Sequence, residues 1–207
     1  MTTPPPAAAG SRRTPLQNRS SGTVQSILDA AARLLTRLPF EQITTSRIAE
    51  EAGISVGALY RFFSDKQEIY DAIAVAELQQ FREMAESAVT ARKILFSPKK
   101  TIGGIVDSYI RFLDERPHFR VLALGRHISD ATREQQTDPG EGPGGLLQKL
   151  LGEKLGGRAS RKLALKIRVA SETGDRLIAF AYQQPTAEGR EAILGELKEI
   201  LQRYLVG

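Results

Sequence analysis

Apolar residues recur at intervals of three and four positions along most of the chain, a spacing typical of amphipathic helices. Val24, Ile27 and Ala31 begin one such stripe, and Pro39 ends the helix that carries it. Similar stripes continue to the C-terminus, where they predict two long helices over about 160–183 and 186–205. No segment alternates between apolar and polar residues as a half-buried strand does. The pattern therefore predicts an all-α fold.

The stretch from Ile43 to Phe63 predicts two short helices that are joined by a tight turn. Thr44 and Ser55 are good N-caps, because a hydroxyl can accept a hydrogen bond from a first-turn amide. Gly53 lies where the first helix must stop, and glycine adopts the left-handed conformation at little cost. The interpretation is a helix-turn-helix, whose second helix enters the major groove of DNA. The alternative is a helical hairpin that only packs in a core.

The outward face of the second helix begins with small, polar residues, which are followed by the side chains of Tyr60 and Arg61. Small residues there permit close approach to base edges. Lys66 lies in the first turn of the next helix, where a cation opposes the helix dipole unless it faces a phosphate. The predicted DNA-binding residues are Thr44, Thr45, Arg47, Ser55, Val56, Gly57, Tyr60, Arg61 and Lys66.

From Val24 to Ala74 the chain resembles the TetR (tetracycline-repressor-like) family of regulators. The resemblance rests on Ala30-Ala31, Phe40, Thr44-Thr45, Ile48-Ala49, Ala52-Gly53-Ile54-Ser55, Gly57, Leu59-Tyr60, Phe63 and Lys66. It implies a three-helix DNA-binding head, then a larger helical body that binds a small molecule and forms a homodimer. It also implies that Lys66 contacts a phosphate.

Three regions follow from this interpretation: a disordered basic arm over 1–21, the DNA-binding head over 22–68, and the ligand-binding and dimerisation body over 69–207. The arm holds Arg12, Arg13 and Arg19 and no acidic residue, and Thr23 is expected to cap the first helix. The arm is either a solvated tail or a segment that touches phosphates or the minor groove. The formal net charge of +5 suits a polyanionic partner.

The resemblance implies a ligand cavity between the long helix after the head and the helices that follow it. An apolar or aromatic effector is expected, with one anionic group that is met by Arg126. For each candidate residue, a place in the core is the alternative. Glu172 and Asp175, one turn apart, are expected at a solvated edge or an interface. The predicted ligand-binding residues are Phe81, Met84, Tyr109, Phe112, Phe119, Arg126 and Phe180.

Stripes of small and aliphatic residues on the last two helices predict the dimer interface. Small residues let helices approach closely, and the resemblance implies that these helices pair with their copies in a four-helix bundle. The alternative is that both stripes serve the core of the protomer. The predicted interface residues are Ile167, Ala170, Gly174, Ile178, Leu197, Leu201 and Tyr204.

Catalytic and metal-binding motifs are absent from the sequence, so no enzyme, cofactor or metal is expected. The chain has no cysteine, and His118 and His127 are its only histidines. Without a signal-like or membrane-spanning run, a cytoplasmic protein is expected. The interpretation is a repressor that a small effector releases from a palindromic operator in double-stranded DNA. The alternatives are an activator of the same fold, and a helical ligand-binding protein or enzyme with a vestigial head.

Overall fold

The computed structural model of the chain describes residues 15–92, 97–137 and 161–206. These ranges hold helices, a short 3-10 turn at Phe40–Gln42 and no strand, which confirms the all-α prediction. None of the helices described is long and apolar enough to cross a bilayer. The helices are α1 (Pro15–Arg37), α2 (Thr45–Glu51), α3 (Val56–Leu59), α4 (Lys66–Arg92), α5 (Pro98–Glu115), α6 (Pro117–Leu124), α7 (Asp130–Thr137), α8 (Arg161–Tyr182) and α9 (Ala187–Val206).

The first helix starts earlier than its sequence predicts. It begins at Pro15, well before the expected cap Thr23, so the disordered arm predicted over 1–21 is too long. Proline suits the first helical position because the amide there needs no partner. A helix that the amphipathic stripe has nucleated then extends at little cost. Arg12 and Arg13 lie outside the described residues, so the role of the arm stays a prediction.

Ser64 and Gln67 match a capping box and predict the start of α4, but the observed cap lies one residue later. Asp65 Oδ1 accepts a hydrogen bond from the Glu68 amide at 2.9 Å, and Glu68 Oε2 accepts one from the Ser64 amide at 2.6 Å. Carboxylates are favoured at this end because they complement the helix dipole. From this cap α4 runs without a break to Arg92.

Pro117 predicts a helix boundary with one helix over about 118–129 after it, but the structure divides this segment into two helices. α6 ends at Leu124, and a Cβ at Gly125 would lie 2.5 Å from the His127 ring and 2.6 Å from the Val121 carbonyl oxygen. Arg126 then adopts φ 58°, in the left-handed region. After this turn comes α7, a helix that the sequence pattern did not predict. The sequence also predicts a short helix over about 146–155, a segment that lies outside the described residues.

Most buried side chains belong to one large cluster that extends through head and body. It includes Ile27 of α1, Ile69 of α4, Leu122 of α6 and Leu201 of α9. α1 packs on α2, α4 and α6, while α8 packs along α9 and α9 packs on α5. α1 and α4 therefore fix the DNA-binding head directly on the body.

Candidate nucleic-acid interface and ligand cavity

The turn between α2 and α3 has the geometry that its sequence predicts. The Thr44 hydroxyl accepts a hydrogen bond from the Arg47 amide at 3.2 Å, and the Ser55 hydroxyl accepts one from the Ala58 amide at 3.1 Å. Gly53 has φ 70°, which a side chain would disfavour. The two caps and the glycine together fix the direction in which α3 leaves α2.

The outward face of this unit is open and polar. α3 is shorter than predicted because a turn over 60–62 replaces its second half. Tyr60 is 51% exposed, and its hydroxyl lies 3.1 Å from Thr45 Oγ1, which ties this turn to the start of α2. Leu59 and Phe63 are buried beneath it. The exposed positions agree with the prediction and are Ser55, Val56, Gly57, Tyr60 and Arg61.

Two predicted DNA-binding cations already have partners within the head. The Arg47 guanidinium donates to the Gln42 carbonyl oxygen at 3.0 Å but stays exposed. The Lys66 ammonium donates to the Ile43 carbonyl oxygen at 2.9 Å and lies 4.8 Å from the centre of the Phe40 ring. Lys66 is half-buried, with its ammonium held between this carbonyl and the ring. An ammonium has three donors, and its contact with a phosphate stays a prediction.

Glu51 is paired with two arginines that the sequence analysis did not single out. Arg33 Nε donates to one carboxylate oxygen at 2.7 Å, and Arg37 Nη2 donates to the other at 2.5 Å. These hydrogen bonds, that of Arg33 foremost, hold the pKa of Glu51 below its usual value. Both arginines lie on α1, so only the packing of α1 on α2 reveals the pair. The pairing compensates a negative charge that would repel phosphates near the helix-turn-helix.

The body contains a cavity of about 160 Å³ between α4, α5, α6, α8 and α9. Its walls are mostly aliphatic and aromatic. Three of the predicted ligand-binding residues, Phe81, Tyr109 and Phe119, line it. The rings of Phe81 and Tyr109 meet edge to face with centroids 5.2 Å apart. Contact of these residues with a ligand stays a prediction.

The structure does not place the other four predicted residues at the cavity wall. Phe112 is buried in an aromatic layer behind it, with its ring centroid 5.4 Å from that of Phe81. Met84 and Phe180 are exposed, on faces of α4 and α8 that point away from the core. Arg126 is exposed in the turn after α6. Helical spacing alone does not tell which face of a long helix its neighbours cover.

Arg133 and Asp175 form the polar end of the cavity, and the sequence analysis missed both roles. Arg133 Nη1 lies 3.9 Å from Asp175 Oδ2, which is too long for a hydrogen bond. Arg133 Nε donates to the Ile128 carbonyl oxygen at 3.2 Å. Burial raises the pKa of Asp175 to about 6; Arg133 opposes this rise and Glu172 adds to it. Glu172 and Asp175 both line the cavity, and since Glu172 is exposed and the Asp175 side chain is 45% exposed, they lie at its solvated edge, as predicted.

Six of the seven predicted dimer residues face the core of their own protomer. They are either almost fully buried within the single chain or line the cavity, so they have no surface left for a partner. The small residues on this face make room for the cavity. The inward-facing six are Ile167, Ala170, Gly174, Ile178, Leu197 and Leu201, and Tyr204 alone is exposed.

Head and body meet at a junction of Phe40, Gln67, Asp71, His127 and Ser129. The Phe40 ring stacks on the His127 ring with centroids 3.4 Å apart. The Gln67 side-chain amide donates to the His127 carbonyl oxygen at 2.9 Å, and the Ser129 backbone amide donates to Asp71 Oδ1 at 2.9 Å. Burial lowers the pKa of His127, which favours the neutral form of the stacked ring. The turn after α6 is thereby fixed to the head.

Two family models match the chain. Residues 27–73 match bacterial regulatory proteins of the tetR family, and residues 97–207 match the tetracyclin repressor-like C-terminal domain. The second match alone covers more than half of the chain. The chain therefore belongs to the TetR family of regulators.

Individual proteins agree with this assignment. A TetR-family transcriptional regulator from Streptomyces coelicolor is 27% identical with a TM-score of 0.69, over 88% of this chain and 97% of that one. RolR in complex with resorcinol has a TM-score of 0.66 over 91% and 95% of the two chains, and at 14% identity it shows the fold alone. The fatty acid metabolism regulator protein of Bacillus subtilis (strain 168) is 30% identical over 107 residues, which are 52% of this chain and 49% of that protein. The chain spans between 33% and 50% of the curated relatives it matches.

The raised pKa of Asp175 predicts a pH-dependent effect of Asp175→Asn on stability. The folded carboxyl has a pKa of about 6, against about 3.9 when unfolded. Because the folded state binds its proton more tightly, the stability this proton contributes is complete below about pH 4 and is lost as the pH rises through about 6. We expect the melting temperature of Asp175→Asn to exceed that of the parent protein above pH 7, and the difference to shrink below pH 5.

Asp114→Asn is a control for which we expect the opposite change in melting temperature. Burial raises the pKa of Asp114, but hydrogen bonds from Tyr182 at 2.6 Å and Arg190 at 2.8 Å outweigh it and hold the pKa below its usual value. Asp114→Asn should therefore lose melting temperature relative to the parent protein at neutral pH. A pH-independent difference for Asp175→Asn would contradict the environment assigned to Asp175.

Proposed function

We propose that this protein is a transcription repressor that binds a palindromic operator as a homodimer and is released by a small apolar or aromatic effector. The observation that carries the proposal is the exposed face of α3 and its following turn, held on a body that encloses a cavity. A small, open start at Ser55 and Gly57 allows the backbone to approach base edges. Tyr60 and Arg61 then extend toward bases or phosphates.

An exposed apolar stripe on α8 and α9 supports the homodimer. A soluble protein rarely leaves several large apolar side chains together on neighbouring helices unless a partner covers them. The ammonium of Lys166 donates to the Tyr204 carbonyl oxygen at 2.7 Å, which ties the two helices at one end of the stripe. A two-fold contact would present two heads to the two halves of a palindrome. This outer stripe consists of Leu165, Val169, Phe180, Ile200 and Tyr204.

The turn after α6 supports a coupling between effector and head. Ala123 and Ile128, on either side of this turn, line the cavity, while His127 between them stacks on Phe40 of the head. An effector that prefers a different position of the turn would move Phe40 and change the separation of the two heads. DNA binding would fall only as far as the effector prefers that separation.

DNA binding is tested on duplexes from the promoter next to the protein's own gene. We expect tight binding to a palindromic segment at low salt, and a steep loss of affinity as salt rises. Tyr60→Ala should weaken this binding while changing the free energy of unfolding by about 1 kcal/mol or less, because the ring is exposed. Arg61→Ala should weaken it more than Arg111→Ala, which removes an exposed arginine from the body. Equal affinity for operator and random DNA would exclude the proposed function.

Lys66→Ala should behave differently from Tyr60→Ala. It removes the bond to the Ile43 carbonyl oxygen and the contact with the Phe40 ring. We therefore expect a lower melting temperature together with weaker DNA binding. Unchanged stability would contradict the position of Lys66 described above.

The dimer is tested by Val169→Glu in the outer stripe. A two-fold interface would hold this carboxylate twice in an apolar contact, and a buried unpaired charge costs several kcal/mol. Sedimentation should show a monomer, and operator affinity should fall toward the non-specific level. The matched control is Val75→Glu on α4, since Val75 is 41% exposed and Val169 42%. A dimeric Val169→Glu would place the interface elsewhere.

A further inference from the structure

We propose that the cavity binds a small, uncharged phenol, whose hydroxyl group bridges Asp175 and Arg133. The inference rests on the proposed function, since it names the chemical class of the effector for the same cavity. Size, charge and unmet hydrogen bonds each support it separately.

The size of the cavity limits the effector to about one aromatic ring. Its volume of about 160 Å³ is close to the roughly 150 Å³ of an engineered cavity that binds benzene. A long acyl chain is several times larger than such a ring. The apolar wall includes Leu78, Phe119 and Ile178, and the rings of Phe81 and Tyr109 offer edge contacts to an aromatic ligand.

The charges at the polar end favour an uncharged effector. Arg133 and the nearby Arg126 would attract a carboxylate, but Asp175 and Glu172 in the same cavity would repel it. A cationic amine would meet the opposite conflict with Arg133. A charge that is removed from water without a matched partner is expensive. An uncharged group avoids both conflicts and leaves the pair of Arg133 and Asp175 intact.

Unmet hydrogen bonds specify a hydroxyl group. Among the residues that the structure describes, the Asp175 carboxylate accepts no hydrogen bond, and the Tyr109 hydroxyl makes none. Arg133 and Asp175 are separated by 3.9 Å, and the bond to the Ile128 carbonyl oxygen holds the guanidinium in place. A hydroxyl can donate to Asp175 and accept from Arg133 or Tyr109 at the same time. The bonds to Asp175 and from Arg133 are charge-assisted and therefore stronger than a bond from the Tyr109 hydroxyl.

Calorimetry on the purified, DNA-free protein tests the inference with four probes. Phenol, benzoate and benzylamine share one ring and differ in charge, and stearate carries a long chain. We expect phenol to bind, and each of the other three to bind at least about tenfold more weakly. Benzoate, benzylamine or stearate binding as tightly as phenol would overturn the proposed class, and so would no binding of phenol.

Two variants locate the binding site. A Cβ at Gly174 meets no atom within 4 Å, so Gly174→Leu should fill the cavity and abolish phenol binding without lowering the melting temperature. Gly104→Leu is the matched control, because Gly104 is also inside a helix with open space around it but lies on the surface. Asp175→Ala should weaken the binding of phenol about tenfold or more, as expected for the loss of a hydrogen bond to a charged group.

Phenol binding that survives both Gly174→Leu and Asp175→Ala would contradict the proposed location of the binding site. These measurements contain no DNA, so they can fail while operator binding succeeds. Operator binding can likewise fail while the phenol site is confirmed. The failure of this inference and that of the proposed function are therefore distinguishable.

Discussion

The packing of the head on α6 is the constraint on which the rest of the structure depends. The buried cluster that starts at Ile27 in α1 continues through Ile69 in α4 to Leu122 in α6, so the head shares its core with the body. Each fully buried aliphatic side chain contributes about 1.5–3 kcal/mol. Separating the head from α6 would expose several of these side chains and lose the free energy that their burial contributes. We therefore expect the head to follow α6 when that helix moves. Because Ala123 of α6 also lines the cavity, one packed element joins the cavity and the head.

Those parts of the fold that depend on neighbouring residues were predictable from the sequence. Thr44, Gly53 and Ser55 act within one turn of their own position, and the structure has them as predicted. The end of α6 was not predictable, because a side chain at Gly125 would conflict with the His127 ring, whose place depends on Phe40 in the head. The early start of α1 was missed because a polar, proline-containing segment has weak helical signals of its own.

The residues of the candidate site also differ in how far the sequence predicts them. Tyr60 and Arg61 were predictable because the helix-turn-helix buries one face, marked by Leu59 and Phe63, and leaves the other open. α8 has two apolar faces, and the inward one, with Ala170 and Gly174, was mistaken for the dimer interface. The outward face carries the larger side chains of the outer stripe. Asp175 lies four residues after Ser171 and three before Ile178, a spacing that places it on the inward face, but its pairing with Arg133 required the packing of α7 on the body.

The central claim is that cavity and DNA site are coupled. It is tested most directly by measuring the phenol affinity of the protein twice, free and saturated with operator. Linkage requires operator to weaken phenol binding by the same factor by which phenol weakens operator binding, between about 5 and 150 in typical systems. We expect matching factors in that range. Equal phenol affinity with and without operator would contradict the account.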